Sequence, residues 1–156
     1  MKIELNNRQH CGDFIRLNEA WISHYFVLEE ADKKLAVNPY QIVEQGGCIL
    51  SLVDAGKVVG VCALFKEEDH RYQLARMAVD DQARGKGYGD KLMQAALAQA
   101  HTMGAHSLYL LSNTKLQPAL ALYRKYGFQT LSEGPHPVYA RSDITMELWL
   151  INRKSE

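Results

Sequence analysis

The spacing of apolar residues along the chain changes repeatedly between two patterns. They recur at helical intervals in 14–25 and 92–103, whereas 48–53 and 58–65 are almost continuously apolar. Recurrence every three or four residues is typical of a helix with one buried face, and short β-branched runs are typical of buried strands. The pattern therefore predicts a chain that mixes helices with strands.

The first half is predicted to hold a strand, a long helix capped by Asp13, short helical turns and a hairpin whose turn is 54–57. These elements lie at residues 3–5, 13–25, 32–35 or 39–44, and 48–53 with 58–65.

A charged connection at 66–71 is predicted to precede the second half. In the strand that follows it, Tyr72, Leu74 and Arg76 should alternate with the residues between them. Glycines at 104 and 127 are expected to end two helices. The predicted strands are 72–79, 107–111, 128–131 and 144–150, and the helices are 92–103 and 119–123. This order predicts an α/β fold, one domain over residues 1–156, with a mixed sheet and helices on its faces.

Composition narrows the possible functions. The chain has 18 basic residues (lysine and arginine) and 18 acidic residues (aspartate and glutamate). This equal number of opposite charges does not favour a protein that binds nucleic acid through an overall positive charge. The three cysteines have no Cys-x-x-Cys spacing, which indicates reduced thiols in a cytoplasmic protein. No signal-peptide pattern or long apolar run is present, and the histidines lack metal-ligand spacing. We therefore expect neither a membrane span nor a metal.

A glycine-rich loop at 82–89 lies between a predicted strand and a predicted helix. Glycine lets the backbone approach a ligand closely, and the free N–H groups at a helix start favour an anion. Arg84 and Lys86 add positive charge. The loop is therefore predicted to bind a phosphate or pyrophosphate, although a turn that only caps the helix would have the same composition.

Two common phosphate loops fit this segment less well. A P-loop needs Ser or Thr directly after its Lys, but Gly87 follows Lys86 here. In a dinucleotide fingerprint that starts at Gly85, the last glycine position is occupied by Asp90.

The loop and the segments around it resemble the GCN5-related N-acetyltransferases, the GNAT superfamily. Gln82-x-x-Gly85-x-Gly87 is similar to the family's Arg/Gln-x-x-Gly-x-Gly/Ala signature. Residues 119–128 resemble its Ala-x-x-Leu-Tyr-x-x-x-Gly-Phe segment, and Asn113 ends the strand between them. The resemblance covers about 72–131 and implies a central, mostly antiparallel sheet flanked by helices.

The resemblance also implies a binding site for acetyl-CoA (CoA) as cosubstrate. Asn113 would hold an amide of the pantetheine arm or line its path, or it is simply a turn residue. The pyrophosphate would bind backbone N–H groups of the loop, and the arm would pair with the fourth strand. Those two sets are Arg84, Gly85, Lys86, Gly87, Tyr88 and Gly89 for the loop, and Met77, Ala78 and Val79 for the strand.

Tyr123 is the implied general acid, since a phenol near the sulfur can protonate the leaving thiolate. The alternative is a core aromatic, as we expect for Tyr126. A backbone N–H near Val79 could polarise the carbonyl. Many family members have a Glu where this chain has Gln73, which cannot accept a proton at neutral pH but could hold water or substrate. The base stays open among ordered water and the residues Glu29, Glu30, Glu67, Glu68, His24 and His70.

Acceptor contacts are expected from the end of the first helix and from the segment before the last strand. Trp21 and Tyr25 would flank the acceptor. Alternatively, Trp21 is part of the hydrophobic core. Glu29 or Glu30 would bind a cationic amine, and Arg141, near Tyr139 and Asp143, a carboxylate.

The resulting hypothesis is an N-acetyltransferase that moves acetyl directly from acetyl-CoA to a primary amine of a small, amino-acid-like acceptor. Acetylation of a protein, peptide or aminoacyl-RNA, and a non-catalytic acyl-CoA sensor, are the alternatives. A homodimer is an expectation of the family, and neither membrane nor nucleic acid is an expected partner.

Overall fold

The computed structural model describes residues 1–83 and 85–151. Seven strands form one sheet in the order β1-β2-β3-β4-β5-β7-β6. β4 and β5 are parallel, and the other neighbouring pairs are antiparallel. The mixed, mostly antiparallel sheet is therefore confirmed. The strands are β1 (Lys2–Leu5), β2 (Cys48–Asp54), β3 (Lys57–Glu68), β4 (Arg71–Val79), β5 (Ser107–Ser112), β6 (Gln129–Glu133) and β7 (Ile144–Trp149).

Helices connect the strands as the apolar periodicity predicts, and both alternatives for the short helical turns are present. The helices are α1 (Cys11–Tyr25), α2 (Glu30–Val37), α3 (Gln41–Glu44), α4 (Tyr88–Thr102) and α5 (Gln117–Lys125). In the part of the chain that the structure describes, no helix is long and apolar enough to cross a membrane.

Two predictions about element boundaries are wrong. Asp13 does not cap α1, because that helix begins at Cys11, and Asp13 instead accepts a hydrogen bond from Arg16 at 2.9 Å. The charged segment 66–71 is not a connection, because β3 continues to Glu68 and β4 begins at Arg71. Charge does not end these strands, since pairing continues to the Glu68–Arg71 pair.

The core has two parts, one on each face of the sheet. Leu92 and Met93 of α4 pack with Cys62 and Leu64 of β3 on one face. Phe14 and Leu17 of α1 pack with Val61 and Ala63 on the other. Alternate residues of β3 thus contribute to opposite faces, as the two-residue period of a strand requires.

A β-bulge interrupts β4 at Arg76. Ala63 and Val61, two residues apart on β3, pair with Ala75 and Ala78, three residues apart on β4. Arg76 has a φ of 60°, in the left-handed region. The predicted alternation therefore fails beyond Leu74, because an extra residue moves every later side chain to the opposite face. Ala78 accordingly packs on the α1 face, whereas Leu74 packs on the α4 face.

β4 and β5 separate soon after they meet. Their pairing covers only three positions, the last of which joins Gln73 to Tyr109. Beyond it, β4 stays paired with β3 as far as Val79, and β5 stays paired with β7 as far as Ser112. A bulge bends the strand that carries it, so the two strands diverge and a gap opens in the sheet.

Candidate functional site

A cavity occupies the gap between the two diverging strands. It encloses about 830 Å³, including open solvent at its mouth. Its walls come from β4, β5, α1, α5 and the segment before β7. Its lining includes Asn18, Trp21, Gln73, Arg76, Met77, Asn113, Tyr123, Tyr139 and Arg141. A concave site lined by apolar residues with a few polar groups is typical of small-molecule binding.

Tyr123 of α5 lies in this wall, where its ring packs edge-on against Phe128 at 6.2 Å between centroids. Burial, with a smaller contribution from the Cys62 thiol, raises the pKa of the phenol to about 12. The phenol is therefore protonated at neutral pH. Among the described residues its hydroxyl has no hydrogen-bond partner, so its proton is available to a molecule in the cavity.

Gln73 lines the cavity on the β4 side. Its Oε1 accepts a hydrogen bond from the hydroxyl of Tyr109 at 3.4 Å, so its amide nitrogen remains able to donate. Of the described residues in the lining, none is a carboxylate or an imidazole. The residues considered as bases lie elsewhere, and His70, in the turn between β3 and β4, stacks on His106.

Four charged residues form a cluster at one end of the cavity. Asp32 of α2, only 2% exposed, accepts hydrogen bonds from Arg141 at 2.6 and 2.7 Å and from Arg76 at 2.6 Å. Burial favours a higher pKa for Asp32, but hydrogen bonds from Arg141 and the Glu29 backbone, with the two arginine charges, hold it at about 2. Arg141 also contacts Glu29 at 3.3 Å.

The structure brings together only some of the residues expected to contact the acceptor. Trp21 and Arg141 line the cavity, whereas Tyr25 packs behind Trp21, with 5.5 Å between ring centroids. Glu29 is outside the lining and is held by Arg141 and by the backbone N–H of Ala140 at 2.9 Å. Glu29 is therefore engaged within the protein and is poorly placed to bind a cationic amine.

Sequence reasoning missed Asp32 and Arg76. A signal for Arg76 was present, because a charged residue aligned with Tyr72 and Leu74 on a buried strand needs a partner. No comparable signal marked Asp32, whose carboxylate meets Arg76 and Arg141 only through long-range packing.

A second concavity lies at the glycine-rich loop. Gly85 and Gly87 have φ values of 78° and 74°, and Gly87 is the N-cap of α4. The first intrahelical hydrogen bond runs from Lys91 N to Gly87 O, so the earlier N–H groups have no partner within the helix. Tyr88 anchors the helix start by donating to Asp54 at 2.6 Å. Arg84 lies outside the described residues.

The two concavities adjoin. Val79 and Leu122 line the one at the loop, whereas Met77 and Tyr123, their near neighbours in sequence, line the cavity. An extended molecule bound at the loop can therefore reach Tyr123 along β4 and α5. Asn113 lines the cavity, accepts a turn hydrogen bond from Lys115 N at 3.0 Å and donates from its amide nitrogen to Arg141 O at 2.9 Å.

Comparison with known sequences identifies the family. The profile of the Acetyltransferase (GNAT) family matches residues 12–128. The chain belongs to this family. It is also similar to human N-acetylaspartate synthetase, with 32% identity over 114 residues that cover 72% of this chain and 37% of that protein. The uncharacterized N-acetyltransferase YjgM of Escherichia coli (strain K12) is 35% identical over 94 residues, covering 58% of this chain and 56% of YjgM.

Solved structures of GNAT proteins share the fold. An acetyltransferase of the GNAT family from Staphylococcus aureus superposes with a TM-score of 0.83 at 19% identity, covering 96% of this chain and all of that chain. The yncA protein of Salmonella typhimurium was solved with its cofactor acetyl-CoA. It superposes with a TM-score of 0.77 at 19% identity, covering 98% of this chain and 95% of yncA. The GNAT fold expected from the sequence is thus shown. This chain spans less than two thirds of the length of these two relatives matched by sequence.

Proposed function

We propose that this GNAT protein transfers an acetyl group from acetyl-CoA directly to the primary amine of a small, amino-acid-like acceptor. The observation that carries the proposal is the cavity between the separated strands, which has Tyr123 in its wall and adjoins the glycine-rich loop. The family supports acetyl transfer. The name of the similar human protein, N-acetylaspartate synthetase, denotes an acetylated amino acid.

The N-terminus of α4 supports the proposed binding of the cosubstrate. Its unpaired N–H groups and helix dipole favour the pyrophosphate of CoA, and the left-handed glycines let that group come close. The edge of β4 that faces the gap is free of β5 beyond Gln73. A pantetheine arm can therefore pair with Met77, Ala78 and Val79 as an added strand.

In the proposed reaction, the neutral amine attacks the thioester carbonyl and forms a tetrahedral oxyanion, which a backbone N–H near Val79 stabilises. The C–S bond then breaks, and the thiolate takes the proton of the Tyr123 hydroxyl. The substrate nitrogen gives up its proton to water, since no carboxylate or imidazole lies in the described lining. The Tyr123 phenolate regains a proton from water, so the protein returns to its starting protonation state.

Thiol release from acetyl-CoA, followed across a panel of small amines with mass analysis of the products, tests the proposal. We expect acetylated amine and free CoA in equal amounts. The missing base in the lining favours a second candidate, a sensor that binds acyl-CoA without turnover. CoA binding with no product from any amine would support the sensor and reject the transferase.

A further inference from the structure

Arg76 combines three properties that are rare in one residue. It has a left-handed backbone in the middle of a strand, its charged side chain is only 8% exposed, and it lines the cavity. A left-handed non-glycine residue within a strand costs backbone strain, and at Arg76 this strain belongs to the bulge beside the gap. A neutral residue in a regular strand would avoid both the strain and the desolvation of a buried charge. These costs indicate that Arg76 has a role in the cavity.

Among the described residues, the charged side chains that line the cavity are cationic, and their anionic partners lie behind them. Of the described residues in the lining, Arg76 and Arg141 are the charged ones, and both are cationic. Their carboxylate partners, Asp32 and Glu29, are outside the lining. A molecule in the cavity therefore meets guanidinium groups first. This polarity disfavours acceptors with several positive charges and favours acceptors that carry an anion.

The two arginines differ in the donors they have left. The Arg141 guanidinium makes three hydrogen bonds, two to Asp32 and one to Glu29, whereas that of Arg76 makes two, one from each terminal nitrogen. Arg76 donates once to Asp32 and once, at 2.8 Å, to the hydroxyl of Tyr139. Since a guanidinium has about five N–H donors, Arg76 keeps more of them for a ligand. The Tyr139 hydroxyl, which accepts from Arg76, can still donate its own proton.

We infer that the acceptor amine also carries a carboxylate, and that Arg76 and Tyr139 bind this carboxylate at the cluster end of the cavity. The inference rests on the proposed function and specifies its substrate class. It replaces Arg141 as the expected carboxylate contact. Arg141 is instead a positioning residue. Its two hydrogen bonds to Asp32 hold the carboxylate that accepts a hydrogen bond from Arg76.

Matched acceptors test the inference. Each amino acid is compared with its own carboxamide, and kcat/KM is expressed per concentration of neutral amine. We expect the wild-type protein to prefer the acid by about 10- to 100-fold, the range of a hydrogen bond to a charged group. Arg76→Gln should remove most of that preference and leave the KM of acetyl-CoA unchanged. Arg76→Lys should keep part of it, because it retains the charge without the planar fork.

Two further variants keep the test decisive. Arg71→Gln changes an arginine of the same strand that pairs with Glu147 outside the cavity, and should keep the acid preference. Tyr139→Phe removes only a hydroxyl and should lower the preference about fivefold even if Arg76→Gln fails to fold.

Three outcomes overturn the inference. The first is a wild-type protein that acetylates carboxamides or polyamines as fast as the acids. The second is an acid preference that survives in every folded variant at Arg76 and Tyr139. Absence of CoA release with both members of every pair would overturn the proposed function, and this inference with it.

Discussion

Arg141 donates hydrogen bonds to both carboxylate oxygens of Asp32, from Nη1 to Oδ2 at 2.6 Å and from Nη2 to Oδ1 at 2.7 Å. Because Asp32 is 2% exposed, removal of its charge leaves two guanidinium groups without their buried partner. We expect Asp32→Asn to lower the free energy of unfolding by about 3–5 kcal/mol. Urea unfolding at pH 7 measures this loss. Asp13→Asn, which removes a 36% exposed partner of Arg16, should cost less than about 1 kcal/mol. Equal effects of the two variants would contradict the importance of the buried cluster.

The same carboxylate predicts a dependence of stability on pH. The pKa of Asp32 is about 2 in the folded protein, against 3.8 for an unperturbed aspartate. A lowered pKa stabilises the folded state above pH 3.8, and this contribution, about 2 kcal/mol, is lost as pH falls from 3.8 towards 2. Urea midpoints between pH 5 and 2 should decline more steeply for the wild-type protein than for Asp32→Asn. Parallel declines would show that another group dominates.

Tyr123→Phe tests the proposed acid. Loss of the hydroxyl removes the donor to the leaving thiolate, so kcat should fall about 100-fold or more, with the KM of acetyl-CoA unchanged. Tyr126→Phe is the matched control, because that hydroxyl bonds Asp90 at 2.8 Å and lies outside the cavity lining. We expect Tyr126→Phe to retain kcat within about twofold. A Tyr123→Phe protein with full kcat would remove Tyr123 from the mechanism.

The missing base predicts the pH profile of the reaction. Since no carboxylate or imidazole is in the described lining, the amine must reach the cavity as its neutral form. We expect kcat/KM to rise with pH and to level off at the pKa of the acceptor amine. The pH of this break in the profile should therefore differ between two acceptors whose amines have different pKa values. A break that stays at one pH below 7 for both acceptors would instead reveal a protein base.

Gly87→Ala tests the binding loop. Gly87 has a φ of 74° and no atom within 4 Å of an added methyl group, so the substitution changes only backbone preference. An alanine in the left-handed region costs about 1–2 kcal/mol, which should distort the start of α4 and weaken CoA binding by up to about five- to thirtyfold. Titration of CoA by calorimetry measures the change. Gly12→Ala, with equal space and without a left-handed φ, should bind CoA as the wild type does.

Local patterns were sufficient for most of the secondary structure. The hairpin of β2 and β3 and the helix after the glycine-rich loop follow from apolar spacing and turn residues, which act over a few positions. The boundary at 66–71 was wrong because strand pairing depends on a partner strand, and the one at Asp13 was wrong because a 3₁₀ turn at Arg8–His10 leads directly into α1. Tyr123 and Gln73 both line the cavity, and their chemical roles stay predictions.

The sequence by itself determined the family, the mixed sheet and the loop at the start of α4, since each depends on residue types at short, regular spacings. Tertiary structure decided the shape and charge of the cavity. The extra residue at Arg76 reverses the face of later β4 residues, and this is visible only in the register with β3. Asp32 and Arg141, 109 positions apart, meet because two chain segments pack together. Spacing along a chain cannot encode such a contact, and it is this contact that holds the two arginines at one end of the cavity.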